Sequence, residues 1–469
     1  MSGLISDILR NAQSLNIHAR NVEVAGHNMA NQNDPAFARQ RLAPKEAVTL
    51  QTAFGLQPGG VTSWGREQAR SFIIDKQVVQ SQSEVAYAKA QKETRENLQT
   101  ALGEEIDRKS STASLDTIPD SDTVEGSLSK AIDEFFNAFQ ELSASPDDTA
   151  AKEVLFQKAE IMTTRFNIVD KRVEEVRSNL QEKVSDEIQQ IDDLLTKIAD
   201  LNAEISKLEF KKKGLAVDLR DERQQAIEEL AELVSVEMVP LDNSIVGVSA
   251  KTDDGQNLVL VDETGKLDAL VDDQGQLVFD PIRGSIAGLI DSETAIEKLK
   301  ADNLNPLAAQ LVVSVNTAYS NTDGTVGNFF DEDSSTAGGL KLDESLSVDS
   351  IVATHTTFSG ANDVALNISK LAEKEFSKTN EDLIDGTFSE FIATTAARVG
   401  QDLRTAEADL ELQQLAETRI LDDRAELGSV NVNEEVTDLM RYQRAFQGTS
   451  KVIGVLDQLL ETVVTGLVR

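Results

Sequence analysis

Hydrophobic residues at the start of the chain fall on one regular line. Ile5, Ile8, Ala12, Leu15, Ala19, Val22, Gly26 and Met29 recur at alternating steps of three and four. That is the spacing of a narrow coiled-coil seam, and it predicts one helix over the first thirty or so residues. The seam is weak, because Ala12, Ala19 and Gly26 have little to bury. Each of its larger residues contributes ~1.5–3 kcal/mol when fully buried, while ordering each residue's backbone costs ~1–2 kcal/mol. Burial along this seam alone does not hold the helix, so it needs a partner. A stripe of the same kind closes the chain: Val432, Val436, Leu439, Gln443, Phe446, Ser450, Ile453, Leu456, Leu460, Val463 and Leu467. Asn431 or Asn433 can cap that helix, with Glu434 and Glu435 favourable at the positive end of its dipole. Two readings are open. The end helices close an ordinary helical domain as an antiparallel pair, or they are assembly surfaces that order only in a polymer.

The first helix stops in "VAGHNMANQNDPAFARQR", from Val24 to Arg41. Asparagine tolerates the left-handed conformation that ends helices, and Pro35 disfavours a helical residue before it. An extended arm is predicted over 36–63, broken by Pro44, Pro58, Gly55, Gly59 and Gly60. Helical patterns then run over about 66–107, 125–142, 150–210 and 215–233. The third carries the stripe Met162, Phe166, Val169, Val173, Val176, Leu180, Val184, Ile188, Ile191, Leu195, Ile198, Ile205 and Leu208, and ~60 residues of helix reach ~90 Å. At Val234 the period changes to short β-branched runs separated by Asp-Gly, Thr-Gly and Gln-Gly turns, which predicts a small β module. Helix resumes over 285–319, a Gly/Ser/Thr/Asp-rich stretch follows to 362, and a long helix is expected over 383–426.

The fold class predicted is mainly α with a small β insertion, an elongated rod of long helices and coiled-coil pairs. Residues 1–65 and 428–469 form terminal helices and arm, 66–233 and 284–427 a helical body, and 234–283 the inserted β domain, which the loop-rich 320–362 stretch can join.

Composition narrows the function. The 469 residues carry a net charge of −36 and no cysteine. That excludes thiol chemistry and disulfides and argues against nucleic acid as a partner. The charge is uneven: residues 1–45 carry +2 and residues 431–469 carry −1, so −37 lies between them. Near-neutral ends can pack against copies of themselves, whereas the acidic middle repels its copies and faces water. The N-terminus shows no basic and apolar leader, and no apolar run is long enough to span a membrane. His18, His27 and His355 are the only histidines, and the first two do not share a helix face. Asp253-Asp254-Gly255 and Asn321-Thr322-Asp323-Gly324 are turn chemistry, since Phe330 stands where a calcium loop needs its closing Glu. No phosphate loop, nucleophile elbow or metalloprotease motif is present. We expect no catalytic residue, no cofactor and no metal.

Motifs at both ends narrow the reading to a superfamily. "GHNMANQNDPAFARQR" resembles the Asn-rich N-terminal signature of bacterial flagellar axial proteins, with Asp34 and Ala36-Phe37-Ala38 departing from the usual Thr and Gly-Tyr-Ser. "VNVNEEVTDLMRYQRAFQGTSKVIGVLDQLLETVV" is similar to their C-terminal signature. Three internal features resemble the hook-associated protein 1, or FlgK, family of the hook–filament junction. They are Arg39-Gln40-Arg41, "LRDERQQAIEELAELVSV" from Leu219 to Val236, and "GSIAGLIDSETAIEKLKADNLNPLAAQLVVSVNTAY" followed by Gly327-Asn328-Phe329-Phe330.

The resemblance implies a secreted, structural flagellar component, exported through the flagellar type III channel and polymerising as a ring in the axial filament. Its partners would be copies of itself, the hook protein, the second junction protein on the filament side, and a dedicated export chaperone. Subunit interaction is expected at Ile8, Ala12, Leu15, Ala19, Val22, Asn28 and Asn31, and at Leu439, Phe446, Ile453, Leu456, Leu460 and Leu467. Phe446 and Leu456 are the expected chaperone anchors. The asparagines would serve as neutral hydrogen-bonding groups between subunits. Another axial protein, of hook or rod type, and an intracellular coiled-coil scaffold remain alternatives.

Overall fold

In a computed structural model of the chain, the described residues are 2–33, 37–46, 50–52, 55–57, 61–103, 127–210, 213–252, 255–267, 270–272, 277–320, 327–355, 358 and 360–467. In chain order the elements are helix α1 (Ser2–Ala30), strands β1 (Gln40–Glu46), β2 (Leu50–Thr52), β3 (Gly55–Gln57) and β4 (Val61–Gln68), and helices α2 (Phe72–Leu102), α3 (Leu128–Ala144), α4 (Thr149–Glu209) and α5 (Val217–Leu233). Strands β5 (Val236–Pro240), β6 (Val246–Lys251) and β7 (Asn257–Val261) follow. Helices α6 (Ser285–Leu299), α7 (Asn305–Tyr319), α8 (Asp363–Ser369), α9 (Phe388–Gly428) and α10 (Val432–Leu467) complete the chain. The helix periods read from the sequence thus become helices, and the change of period at Val234 becomes strands.

Two compact units result. One gathers Met1–Ala86, Glu187–Ser285 and Leu412–Arg469, the other Tyr87–Asp186 and Ile286–Glu411. In the first unit α1 and α10 pack as an antiparallel pair, with Asn28 near the end of α1 bonded to Glu435 in the first turn of α10. The arm is more ordered than its sequence implies. β1 pairs antiparallel with β4 from Gln40↔Gln68 to Glu46↔Val61, with a bulge between Leu42 and Pro44, and β2 pairs with β3 from Leu50↔Gln57 to Thr52↔Gly55. This corrects the expected helix start near residue 66. Arg66 to Gln68 are held in the β1 ladder, so α2 begins at Phe72. Beside β4, Arg66 N donates to Gly214 O at 3.0 Å. The two backbones touch so closely there that a Cβ on Gly65 would lie 2.5 Å from Lys213 O. The inserted strands form one antiparallel sheet, β5-β6-β7.

The second unit is built on aromatic packing. α3 buries Ile132, Phe135, Phe136, Phe139 and Leu142 on one face, and α4 meets them with Leu155, Met162, Phe166 and Val173. Phe329 and Phe330 are fully buried, with ring centroids 5.7 and 5.9 Å from Phe135. Asn316 on α7 fixes this pair. Its Oδ1 accepts from Phe329 N at 3.1 Å and Phe330 N at 2.9 Å, and its Nδ2 donates to Phe330 O at 2.9 Å. One side chain therefore supplies the hydrogen bonds that a neighbouring strand would give, which explains why "VNTAY" and "GNFF" occur together. The expected helix over 285–319 is continuous and carries a π-helical turn at Lys300–Leu304. Asn303 in that turn is buried and donates to Thr395 Oγ1 at 3.1 Å.

Candidate assembly site

The two chain ends meet in a buried polar cluster. Asn28 is 1% exposed, Gln40 0% and Glu435 2%. Asn28 uses its whole amide: Oδ1 accepts from Gln40 N at 3.0 Å, and Nδ2 donates to Gln40 O at 2.9 Å and Glu435 Oε2 at 3.1 Å. Like Asn316, it acts as a strand partner, here clasping the first residue of β1 onto the last turn of α1. Arg39 donates from Nε to Glu435 Oε1 at 2.5 Å and from Nη1 to Glu434 Oε2 at 2.8 Å, with Asp438 at 3.7 Å. Its backbone N donates to Gly428 O at 2.9 Å. Burial works to lower the Arg39 pKa, but the charge and hydrogen bonds of Glu435 and Glu434 outweigh it and raise the value.

Gln40 carries the cluster on towards α5. Its Nε2 donates to Asp218 Oδ1 at 2.8 Å, and its Oε1 accepts from Arg66 Nη1 at 3.0 Å. Gln68 Nε2 donates to Asp221 Oδ1 at 2.7 Å, and Arg70 pairs with Asp221 at 3.2 Å and Asp75 at 3.7 Å. Burial pushes the Asp75 carboxyl pKa up, with Arg70 and Arg424 pulling it back and Glu228 adding to the rise. Farther along α5, Glu228 bonds Arg424 of α9 at 2.7 Å. The "LRDERQQAIEEL" motif is thus a helix that buries Asp221, Arg223, Gln224 and Glu228 while Glu222, Gln225 and Glu229 face solvent.

The asparagines therefore divide their work. Both amide hydrogens of Asn28 and one acceptor site of its Oδ1 are engaged within the chain. Asn31 is half-buried and donates from Nδ2 to His27 O at 3.0 Å, while Asn33 is exposed. With Gln32 they rim a cavity of about 430 Å³ floored by Arg70, Asp75 and Arg424. Pro35 lies outside the described residues. Asn431 caps α10, its Oδ1 accepting from Asn433 N at 3.0 Å.

Ile8, Leu15 and Val22 are half-buried in the α1–α10 pair, whereas Ala12 and Ala19 are exposed. On α10, Leu439, Ile453, Leu456 and Leu460 are half-buried and Phe446 is exposed at 37%. The side chain of Leu467 lies outside the described residues. The pair leaves much apolar surface uncovered: Ile5, Leu9, Val432, Val436, Met440, Val452, Val455, Leu459 and Val463 are all exposed. Sequence periodicity missed the charged part of this site. The signal was present in Arg39 and the Glu434-Glu435 pair, polar residues flanking apolar seams at both ends. Among the described residues no group of three or more His, Asp or Glu could hold a metal ion, and no helix is long and apolar enough to cross a membrane.

Residues 115–330 match the model of the flagellar hook-associated protein FlgK helical domain, and residues 427–466 that of the flagellar basal body rod FlgEFG protein C-terminal region. The longer of these matches, together with the relatives below, supports likeness to the FlgK family of flagellar hook-associated proteins. It is 21% identical to the flagellar hook-associated protein 1 of Bacillus subtilis (strain 168) over 508 aligned positions, covering 95% of each chain. The solved flagellar hook junction protein FlgK from Burkholderia pseudomallei has a similar fold. The TM-score is 0.55 at 13% identity, covering 76% of this chain and all of that one. The clasp of Asn28, Arg39, Gln40 and Glu435 joins the two motif stretches that the sequence carries at opposite ends.

Proposed function

We infer that this chain is a structural component of the bacterial flagellum, standing at the distal end of the hook and joining hook to filament. The observation that carries the reading is the paired chain ends: a buried polar clasp fixes α1 to α10, while long apolar faces on both helices stay uncovered. A clasp of this kind gives the pair one geometry, and uncovered apolar faces of this extent serve association. Copies of the chain would pack through these helices as a ring in the axial structure, Ala12 and Ala19 allowing close helix approach. The acidic remainder faces water. The hook protein lies on one side and the second junction protein on the other.

Before assembly the same faces are an aggregation hazard. An export chaperone that covers α10, with Phe446 and Leu456 as anchors, fits that need, and export through the flagellar channel fits a chain without cysteine. A hook or rod role explains the match over residues 427–466 but leaves the helical domain match over 115–330 without a purpose. The test is a deletion strain. Intact hooks with filament subunits shed into the medium are the expected result, and normal filaments would refute the assignment.

A further inference from the structure

A second concentration of charge in the first unit is basic, in a chain of net charge −36. A cavity of about 520 Å³ is lined by Arg66, Arg70, Arg220 and Arg223 together with Phe72 and Leu241, and the carboxylates Glu67 and Asp75 also reach its wall. Three of the arginines have carboxylates of their own. Arg66 reaches Asp218 at 3.2 Å, Arg70 reaches Asp221 and Asp75, and Arg220 bonds Glu209, whose side chain is fully buried. Arg223 has none. It is 7% exposed, and its Nη1 donates to two neutral acceptors, Asn202 Oδ1 and Ser244 O, both at 2.8 Å. Beside it, Arg220 Nε is buried without an acceptor among the described residues. Burial and the neighbouring Arg220 push the Arg223 pKa down to about 10, Glu209 opposing and Arg70 adding to the fall. Arg220 thus bonds the buried carboxylate of Glu209, while Arg223 feels it only through space. A buried charge without a full partner is costly, and an entering anion relieves it.

We propose that this cavity receives an acidic side chain from a second copy of the chain. Arg220 and Arg223 hold its carboxylate, and Phe72 and Leu241 meet the apolar residue beside it. The proposal rests on the self-assembly reading above. Charge complementarity selects the occupant: a neighbouring copy brings 81 acidic residues, and their own repulsion keeps them from most of this surface. The apolar wall selects a peptide over a bare ion, since Phe72 and Leu241 are 38% and 36% exposed. Planar guanidinium forks suit a carboxylate.

The test uses the full chain and three probes in calorimetric titration: the peptide acetyl-Leu-Glu-Glu-Leu-amide, its Gln-Gln counterpart, and inorganic phosphate. The acidic peptide should bind saturably, the Gln-Gln peptide should not, and phosphate should bind more weakly than the acidic peptide. Arg220→Gln should weaken the acidic peptide about tenfold or more, the loss of one charged hydrogen bond. Because that variant also strips Glu209 of a partner, Leu241→Ala serves as a second one. It alters an exposed side chain and should weaken binding several-fold at unchanged Tm. Equal binding of the Gln-Gln peptide, tighter binding of phosphate, or unchanged affinity in both variants would overturn the site. In cells, both variants should enter flagella less efficiently than wild type. Peptide binding with normal incorporation of both would overturn the second-copy occupant, whereas failure of the wild-type chain to incorporate would strike the self-assembly reading instead.

Discussion

Replacing Glu435 with alanine removes two hydrogen bonds at one stroke, from Arg39 Nε and from Asn28 Nδ2. Breaking a buried ion pair by deleting one partner costs ~3–5 kcal/mol, because the other charge is left stranded. Here Arg39 keeps Glu434 and has Asp438 at 3.7 Å, so the lower end, ~3 kcal/mol, applies. Glu434 itself is 59% exposed at its side chain. Its removal should cost under ~1 kcal/mol, as exposed pairs do. A chain with two compact units does not promise two-state melting, so the readout should be local. Hydrogen exchange of the α1 amides from Val22 to Met29 measures how often the pair opens. About 3 kcal/mol corresponds to a ~100-fold acceleration in Glu435→Ala, against a few-fold in Glu434→Ala. The Asn28→Ala variant and the double variant complete a cycle, in which coupling of ~1 kcal/mol or more is expected for residues sharing one network. Equal acceleration by the two glutamate variants, or strict additivity of Asn28→Ala with Glu435→Ala, would refute the clasp.

Asn316→Leu should destabilise the second unit by ~3 kcal/mol, since the amides of Phe329 and Phe330 lose their acceptor, and exchange at those amides would report it. Gly214→Ala should cost at least ~1–2 kcal/mol in urea unfolding, because Gly214 has φ +78° and a Cβ there would lie 2.3 Å from Arg66 O. Glu209 is held below its ordinary carboxyl pKa of 4.5: burial alone would raise it, but hydrogen bonds from Ser244, Ala216 N and Arg220 prevail. Its stabilisation is therefore present above pH 4.5 and lost as pH falls through the folded pKa. Glu209→Gln should lower Tm at pH 7 and flatten the acid limb of a Tm–pH profile. Leucine at Ala12 or Ala19 should impair incorporation into flagella while leaving Tm within ~2 °C, because both sites are exposed in the single chain.

Much of the fold was legible because helices announce themselves by period. The 150–210 stripe became α4, and Met162, Phe166, Val173, Ile191, Leu195, Ile198 and Ile205 on it are fully buried. The arm was not legible. Its strands are short, and what orders them is distant: Asn28 seizes Gln40, and Gly214 accepts from Arg66. Nor does periodicity register buried polar residues. Arg39, Glu435 and Arg223 look like solvated charges in sequence, and their burial depends on partners far along the chain. The Asn-rich stop told where α1 ends, but not that Asn28 turns inward while Asn33 remains exposed.

The clasp has a consequence for the order of folding. Arg39 and Glu435 are 396 residues apart, and the segments of the second unit all lie between them in sequence. A chain emerging residue by residue completes everything its aromatic core requires before Glu435 exists. The first unit must wait for the closing helix, and until it arrives Asn28 and Arg39 stay hydrogen-bonded to water rather than to Glu435. The later-made helix α10 thus acts as a latch, and a partner that holds α10 apart also holds α1 unlatched.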